Sequence, residues 1–156
     1  MKFFILFFLI YFHFTNLFAI DTNAEQAIII DFNTNEILFE KNADQTIPPA
    51  SMTKIMTSYA VFDRIKSTDL TIEDKCLVSA KAYKMRGSRM FLEIDKKVSI
   101  NDLLRGVIIH SGNDASVTLA ECLSGTEEDF ANLMNIYANK LNLLNTNFSN
   151  SSGWPD

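Results

Sequence analysis

Pro48-Pro49-Ala50-Ser51-Met52-Thr53-Lys54-Ile55-Met56-Thr57 is where the chain turns from extended to helical. Prolines just before a run of helix-compatible residues mark a helix entry, and Met52 to Ile65 contains neither Gly nor Pro. Ile55, Tyr59 and Phe62 fall on one face at spacings of four and three, with Met52 one turn earlier. Ser51 and Lys54 are three apart, so on a helix the lysine amine can reach the serine hydroxyl. A serine hydroxyl is a weak nucleophile until a neighbouring base takes its proton. Lysine serves as that base only if burial or nearby positive charge lowers its pKa enough to leave it neutral. Free backbone N–H groups at a helix N-terminus would also help to stabilise an oxyanion. By itself Ser-x-x-Lys is a common spacing, and it equally describes a helix cap followed by a solvated lysine.

Upstream, Ala27 to Phe32 is rich in isoleucine and suits a buried strand. Asn33-Thr34-Asn35-Glu36 supplies turn residues, with Asn tolerant of the left-handed conformation, and Ile37-Leu38-Phe39 reads as the returning strand. Such a hairpin is marginal alone and wants further strands beside it. At the start of the chain, Lys2 precedes an unbroken apolar run from Phe3 to Phe12, and Leu17-Phe18-Ala19 precedes the first acidic residue, Asp21. This pattern predicts a secretory signal peptide over 1–19, cut after Ala19, and an exported mature chain over 20–156 in the periplasm or cell envelope. The apolar run is shorter than the roughly 20 residues of a membrane span.

Downstream, Thr68 to Val98 is irregular, with short apolar pieces such as Leu77-Val78 and Met90-Phe91-Leu92. Ser99-Ile100-Asn101-Asp102 opens a helix over Leu103 to Ile109. Ser111-Gly112-Asn113-Asp114 stops it and can cap the next helix, Ala115 to Leu123, which Gly125 ends. Thr126 with Asp129 approximates a capping box before an amphipathic helix from about Glu127 to Leu143. The chain closes on the polar turn Asn150-Ser151-Ser152-Gly153-Trp154-Pro155-Asp156. Strands followed by helices make the class α+β.

With 156 residues the chain can bury one core, and its net charge of -5 argues against a nucleic-acid partner. Its two cysteines, Cys76 and Cys122, allow one pairing, but nothing in the sequence brings them together. Cys122 lies in the helical pattern Leu119-Ala120-Glu121-Cys122-Leu123, where a small buried thiol is expected rather than a disulfide. No zinc-spaced Cys/His set is present. Ser111-Gly112-Asn113 reads either as a plain turn or as a loop that sets a second hydroxyl and an amide beside the nucleophile. In the second reading Ser111 relays a proton to a leaving amine, while Asn113 bonds the substrate backbone and holds Lys54.

The segment 48–57 resembles the nucleophile segment of the low-molecular-weight penicillin-binding proteins, the serine D-alanyl-D-alanine carboxypeptidases. Asp31-Phe32-Asn33-Thr34-Asn35-Glu36-Ile37-Leu38 resembles the hairpin that precedes it in that family. Gly87-Ser88-Arg89-Met90-Phe91-Leu92, the stretch from Leu103 through Ala120 and Asn150-Ser151-Ser152-Gly153-Trp154-Pro155 resemble later family blocks in the same order. A Ser-x-x-Lys with a Ser-x-Asn-type triplet is the known pairing of penicillin-binding proteins and class A β-lactamases.

The resemblance implies a serine DD-peptidase/β-lactamase-like fold in truncated form, a hairpin plus a helical cluster with later sheet strands missing. It implies catalytic residues Ser51, Lys54, Ser111 and Asn113, the last two also binding substrate, and no metal or organic cofactor. Its implied partners are a peptidoglycan stem peptide ending in D-Ala-D-Ala and β-lactam antibiotics, and a second polypeptide supplying the C-terminal half is a further candidate that the resemblance leaves open. Two departures stand out. Asn35 replaces the usual Gly of the family hairpin, and the family's Lys-Thr-Gly or Lys-Ser-Gly triplet occurs nowhere in this sequence. In the family that triplet lies on a strand lining the site, where it supplies the cation for the substrate carboxylate and shapes the oxyanion hole, so the chain alone is expected to be inactive. An inactive exported fragment or split-gene remnant is therefore a rival reading. A class A β-lactamase is another, although no Glu follows Glu128 to serve its deacylating water.

Overall fold

Ala27–Ile30 (β1) and Ile37–Lys41 (β2) pair antiparallel, with Ala27 opposite Lys41 and Ile29 opposite Phe39. The computed structural model describes residues 20–155, so the expected leader over 1–19 lies outside the described residues. The turn between the strands is organised by Asp31. Its carboxylate accepts from the Thr34 and Asn33 backbone N–H groups at 2.8 and 2.9 Å and from the Thr34 hydroxyl at 3.0 Å. These bonds, Thr34's first, hold the Asp31 carboxyl below its ordinary range. Asn35 takes the left-handed conformation (φ 57°), as its residue type predicts. The expectation of a buried strand does not hold, because Ile28, Ile29 and Ile30 are all exposed. Among the described residues of its own unit, which runs to Thr46, the two-stranded ribbon has no second layer over either face.

The second unit begins at Ile47. A 3-10 turn over Ala50–Met52 leads into Thr53–Ser67 (α1). In the stretch that reads as irregular, Lys75–Leu77 (β3) pairs antiparallel with Lys97–Ser99 (β4), and Ala80–Tyr83 (α2) lies between them. Ile100–His110 (α3), Asn113–Ser124 (α4) and Glu127–Lys140 (α5) follow, each within a few residues of its sequence expectation. Ser99 caps α3 by accepting from Asp102 N at 3.1 Å. Thr126 caps α5 by accepting from Asp129 N at 3.0 Å. The shorter Asp at this box position bonds the Thr126 hydroxyl at 2.6 Å, in place of the longer reach of a Glu.

Helix α4 is the centre of this unit, buried without interruption from Asn113 to Ala120. On one side Val117 and Leu119 pack with Val61, Val78, Ile100 and Leu103. On the other Ala120 joins Met56, Ala60, Phe130 and Met134. Full burial of a side chain such as Phe130 contributes about 1.5–3 kcal/mol. Tyr137 closes the second cluster, its ring edge-on to Tyr59 and its hydroxyl donating to Asp63 Oδ2 at 2.7 Å. Burial, then the Asp63 hydrogen bond and charge, push its phenol up to about 12.

Helix α1 turns inward on a face other than its apolar one. Met52, Ile55, Tyr59 and Phe62 are exposed, Ile55 by 73%. The inward residues are Thr53, Lys54, Met56, Thr57, Ala60 and Val61. Small residues let the helix approach α4 closely, and the inward polar groups find backbone partners in the C-terminal segment.

The expectation for the cysteines is overturned. Cys76 in β3 and Cys122 in α4 form a disulfide, with Cα atoms 5.4 Å apart, and Cys122 is exposed rather than a buried helix thiol. Packing of β3 against α4 brings them into bridging range across 46 residues, a tertiary fact that residue spacing does not carry.

Candidate active site

Ser51 sits in the 3-10 turn between Pro49 and α1, with Met52 N bonded to Pro49 O at 3.0 Å. The residue before it, Ala50, holds φ 46°, a left-handed conformation that disfavours a residue bearing Cβ by about 1–2 kcal/mol. Such a turn persists only where its surroundings over-determine it. Here the surroundings are Gly153, whose own φ is 72° and whose Cα faces the Ala50 carbonyl so closely that a Cβ would stand 1.8 Å from Ala50 O. The strain falls at the residue that aims the serine.

Lys54 lies one turn on, in the first turn of α1, and is 4% exposed. Its Nζ is 3.2 Å from Ser51 Oγ and donates to Ser152 O at 2.7 Å. Burial lowers its pKa from the ordinary lysine value, because removal from water disfavours the charged ammonium. The amine is thus held against the hydroxyl by a carbonyl that fixes its position and by an environment that favours its neutral form. The same C-terminal segment takes a second bond from α1, Thr57 Oγ1 to Ser151 O at 2.6 Å.

Ser111 ends α3 in the left-handed conformation (φ 53°), so it closes the preceding helix rather than capping α4 with its side chain. Gly112 is the N-cap of α4. Ser111 joins Ser51, Lys54 and Ser58 around an open cavity of about 350 Å³, whose apolar wall includes Ile55, Val107 and Ile108. Three of the four sequence candidates therefore share one cavity. Asn113 does not line it. Its Nδ2 donates to Arg86 O at 2.6 Å and its backbone N–H to Ser88 O at 2.8 Å, while Lys54 bonds Ser51 and Ser152 instead. The side chain tethers the 86–88 segment, where Gly87 leaves room for the Trp154 ring.

Several residues that fix the site carry no sequence candidate. Asp114 is 1% exposed and accepts from Met90 N, Ala115 N and Leu92 N at 2.9, 2.9 and 3.0 Å. It pins the Met90–Leu92 segment, in which Phe91 is left-handed (φ 59°), to the start of α4, and so braces the end of α3 that presents Ser111. The carbonyls of Ser151 and Ser152 are invisible to a search for reactive side chains, since backbone oxygens exist at every position. Their only sequence sign is the Asn150-Ser151-Ser152-Gly153 turn, in which Asn150 Oδ1 accepts from Ser152 N and Gly153 N at 3.2 and 2.7 Å. Among the described residues no group of three or more His, Cys, Asp or Glu is placed to hold a metal ion.

The model of the D-alanyl-D-alanine carboxypeptidase family, peptidase S11, matches residues 14–156. D-alanyl-D-alanine carboxypeptidase DacC of Escherichia coli is 43% identical over 141 residues, a match covering 86% of this chain and 35% of that protein. The crystal structure of D-alanyl-D-alanine carboxypeptidase DacD from Francisella tularensis superposes with a TM-score of 0.84 at 39% identity, covering 88% of this chain and 33% of the other. Penicillin binding protein 5 from Haemophilus influenzae gives the same TM-score, 0.84, and identity, 39%, over 88% of this chain and 41% of its own. The chain spans about a third of the length of the curated relatives it matches. The part it shares with them is the α+β portion described above, hairpin and helices.

Proposed function

Because the chain belongs to the D-alanyl-D-alanine carboxypeptidase family, we propose that it carries the nucleophile and base of a serine-type D-Ala-D-Ala carboxypeptidase that trims peptidoglycan stem peptides. Lys54 carries the proposal: a buried amine, its pKa lowered, 3.2 Å from a serine hydroxyl at a helix entry. Lys54 takes the Ser51 proton as Oγ attacks the carbonyl between the two D-alanines. The tetrahedral intermediate collapses with cleavage of the C–N bond. The proton held on Lys54 is returned through the Ser111 hydroxyl, across the same cavity, to the departing D-alanine amine, which leaves Ser111 a hydroxyl and Lys54 neutral. Water then attacks the Ser51 ester and restores the hydroxyl. A penicillin enters by the same first step, its β-lactam carbonyl acylating Ser51. Asn113 keeps its assignment to the substrate backbone, which in this geometry requires exchanging its bond to Arg86 O.

The test uses a hybrid that joins these residues to the remaining length of the Escherichia coli relative. Ser51→Ala is expected to abolish labelling by a fluorescent penicillin, and Lys54→Ala to slow acylation by about 10²-fold or more. The pH dependence follows from the sign of the Lys54 shift. Only the neutral amine accepts the proton, so the rate falls as pH drops through the depressed pKa, and this limb lies below the ordinary lysine range. Continued labelling of the Ser51→Ala protein would move the nucleophile elsewhere.

We also propose export, with residues 1–19 as the leader. A disulfide between Cys76 and Cys122 suits an oxidising compartment, as does a cell-wall substrate. N-terminal sequencing of the mature protein should read from Ile20. Recovery of intact Met1 at the membrane would refute the leader.

A further inference from the structure

We infer that Glu127 is a positioning residue for Lys54, its buried carboxylate holding the Ser151-Ser152 segment whose carbonyls fix the amine beside Ser51. The inference rests on the reading of Lys54 as the base of Ser51. Glu127 occupies the first turn of α5, where a negative side chain is favoured by the helix dipole, and is 7% exposed. A carboxylate removed from water persists only when its lone pairs are taken up. Oε1 accepts from both donors of one residue, Ser151 N at 3.0 Å and Ser151 Oγ at 2.6 Å. Oε2 pairs with Lys81 Nζ at 2.6 Å.

From Ser151 the chain of bonds runs to the nucleophile helix. Ser151 O accepts from Thr57 Oγ1 at 2.6 Å and Ser152 O from Lys54 Nζ at 2.7 Å. One carboxylate on α5 thereby orients two successive carbonyls onto α1. A carboxylate suits this task because it only accepts, and its hydrogen bonds are roughly twice as strong as neutral ones. The ion pair with Lys81 does not account for its burial. Lys81 is 57% exposed, and pairs open to water contribute little, whereas the bonds to Ser151 are buried.

If the segment were released, Ser152 O would leave Nζ and water would enter. The amine would regain its hydration and hold its proton more tightly. Besides Lys54 itself, no residue lining its cavity carries a charge. The groups lining the cavity around Lys54 are the hydroxyls of Ser51, Ser58 and Ser111 and the apolar side chains of Ile55, Val107 and Ile108, and burial alone lowers its pKa.

The test is an NMR titration of the Lys54 side-chain amine in the full 156-residue protein, a readout that needs no turnover. Glu127→Ala is expected to shift the Lys54 midpoint upward, toward that of a solvated lysine. Glu127→Gln, which keeps an acceptor for Ser151, should return most of the shift. Should Glu127→Ala not fold, Ser151→Ala decides the matter. It removes the hydroxyl bond but keeps the backbone one, and should give a smaller upward shift. A folded Glu127→Ala protein whose Lys54 titrates as in the unsubstituted protein would overturn the inference. So would an unchanged Lys54 in Ser151→Ala where Glu127→Ala does not fold. If instead the unsubstituted hybrid fails to be acylated by penicillin, the carboxypeptidase reading falls and the Lys54 titration still judges Glu127.

Discussion

Replacing Gly153 with alanine is expected to lower the unfolding free energy by about 2 to 5 kcal/mol, the sum of left-handed strain and overpacking. Both causes act at one atom. At φ 72° an added Cβ is disfavoured before any neighbour is considered. That Cβ would also meet Ala50 O at 1.8 Å, Ala50 C at 2.5 Å and Thr53 Oγ1 at 2.7 Å. Two of these three atoms are backbone, so no side chain can simply rotate away. Relief requires moving either the Ala50 turn, which aims Ser51, or the Ser152 carbonyl, which holds Lys54. The loss is large against a typical total stability of about 5–15 kcal/mol. Urea unfolding of the two proteins measures it. An unchanged midpoint would mean that the 150–153 turn does not press on the nucleophile turn as described.

Opening the Cys76–Cys122 disulfide is expected to cost a comparable amount. In the chain-entropy account a bridge across 46 residues stabilises by about 4 kcal/mol, by limiting the unfolded chain. The bridge ties β3, and through it β4, to the C-terminal part of α4. The Cys76→Ser/Cys122→Ser double substitution, or a strong reductant, should therefore lower the urea midpoint markedly. The effect of reductant should vanish in the doubly substituted protein. Two titratable thiols in the protein as isolated under air would contradict the pairing.

Ser51, Lys54 and Ser111 could be brought forward as candidates because side-chain type, short spacing and the order of neighbouring blocks single them out, and the structure sets the three around one cavity. The support of the site could not be picked that way. Lys54 and Ser152 are 98 residues apart, Thr57 and Ser151 are 94 apart, and in both pairs the acceptor is a backbone oxygen. The stripe of Met52, Ile55, Tyr59 and Phe62 illustrates a related limit. Periodicity tells which residues share a face of a helix. It does not tell which face turns inward when hydrogen bonds from Lys54 and Thr57 compete with apolar area for that direction. The hairpin shows the same thing for strands, since an isoleucine run is compatible with burial but cannot supply the layer that buries it. The Cys76–Cys122 pairing is not legible in the sequence, because a helical pattern around one cysteine says nothing about an approaching strand.

The most direct measurement is the mass of the hybrid protein after exposure to benzylpenicillin, followed by mapping of the modified peptide. If Ser51 is the nucleophile activated by Lys54, the protein gains one benzylpenicillin, the adduct maps to the peptide containing Ser51, and the Ser51→Ala protein gains nothing. An adduct on any other residue, or an unmodified protein in a folded hybrid, would contradict it.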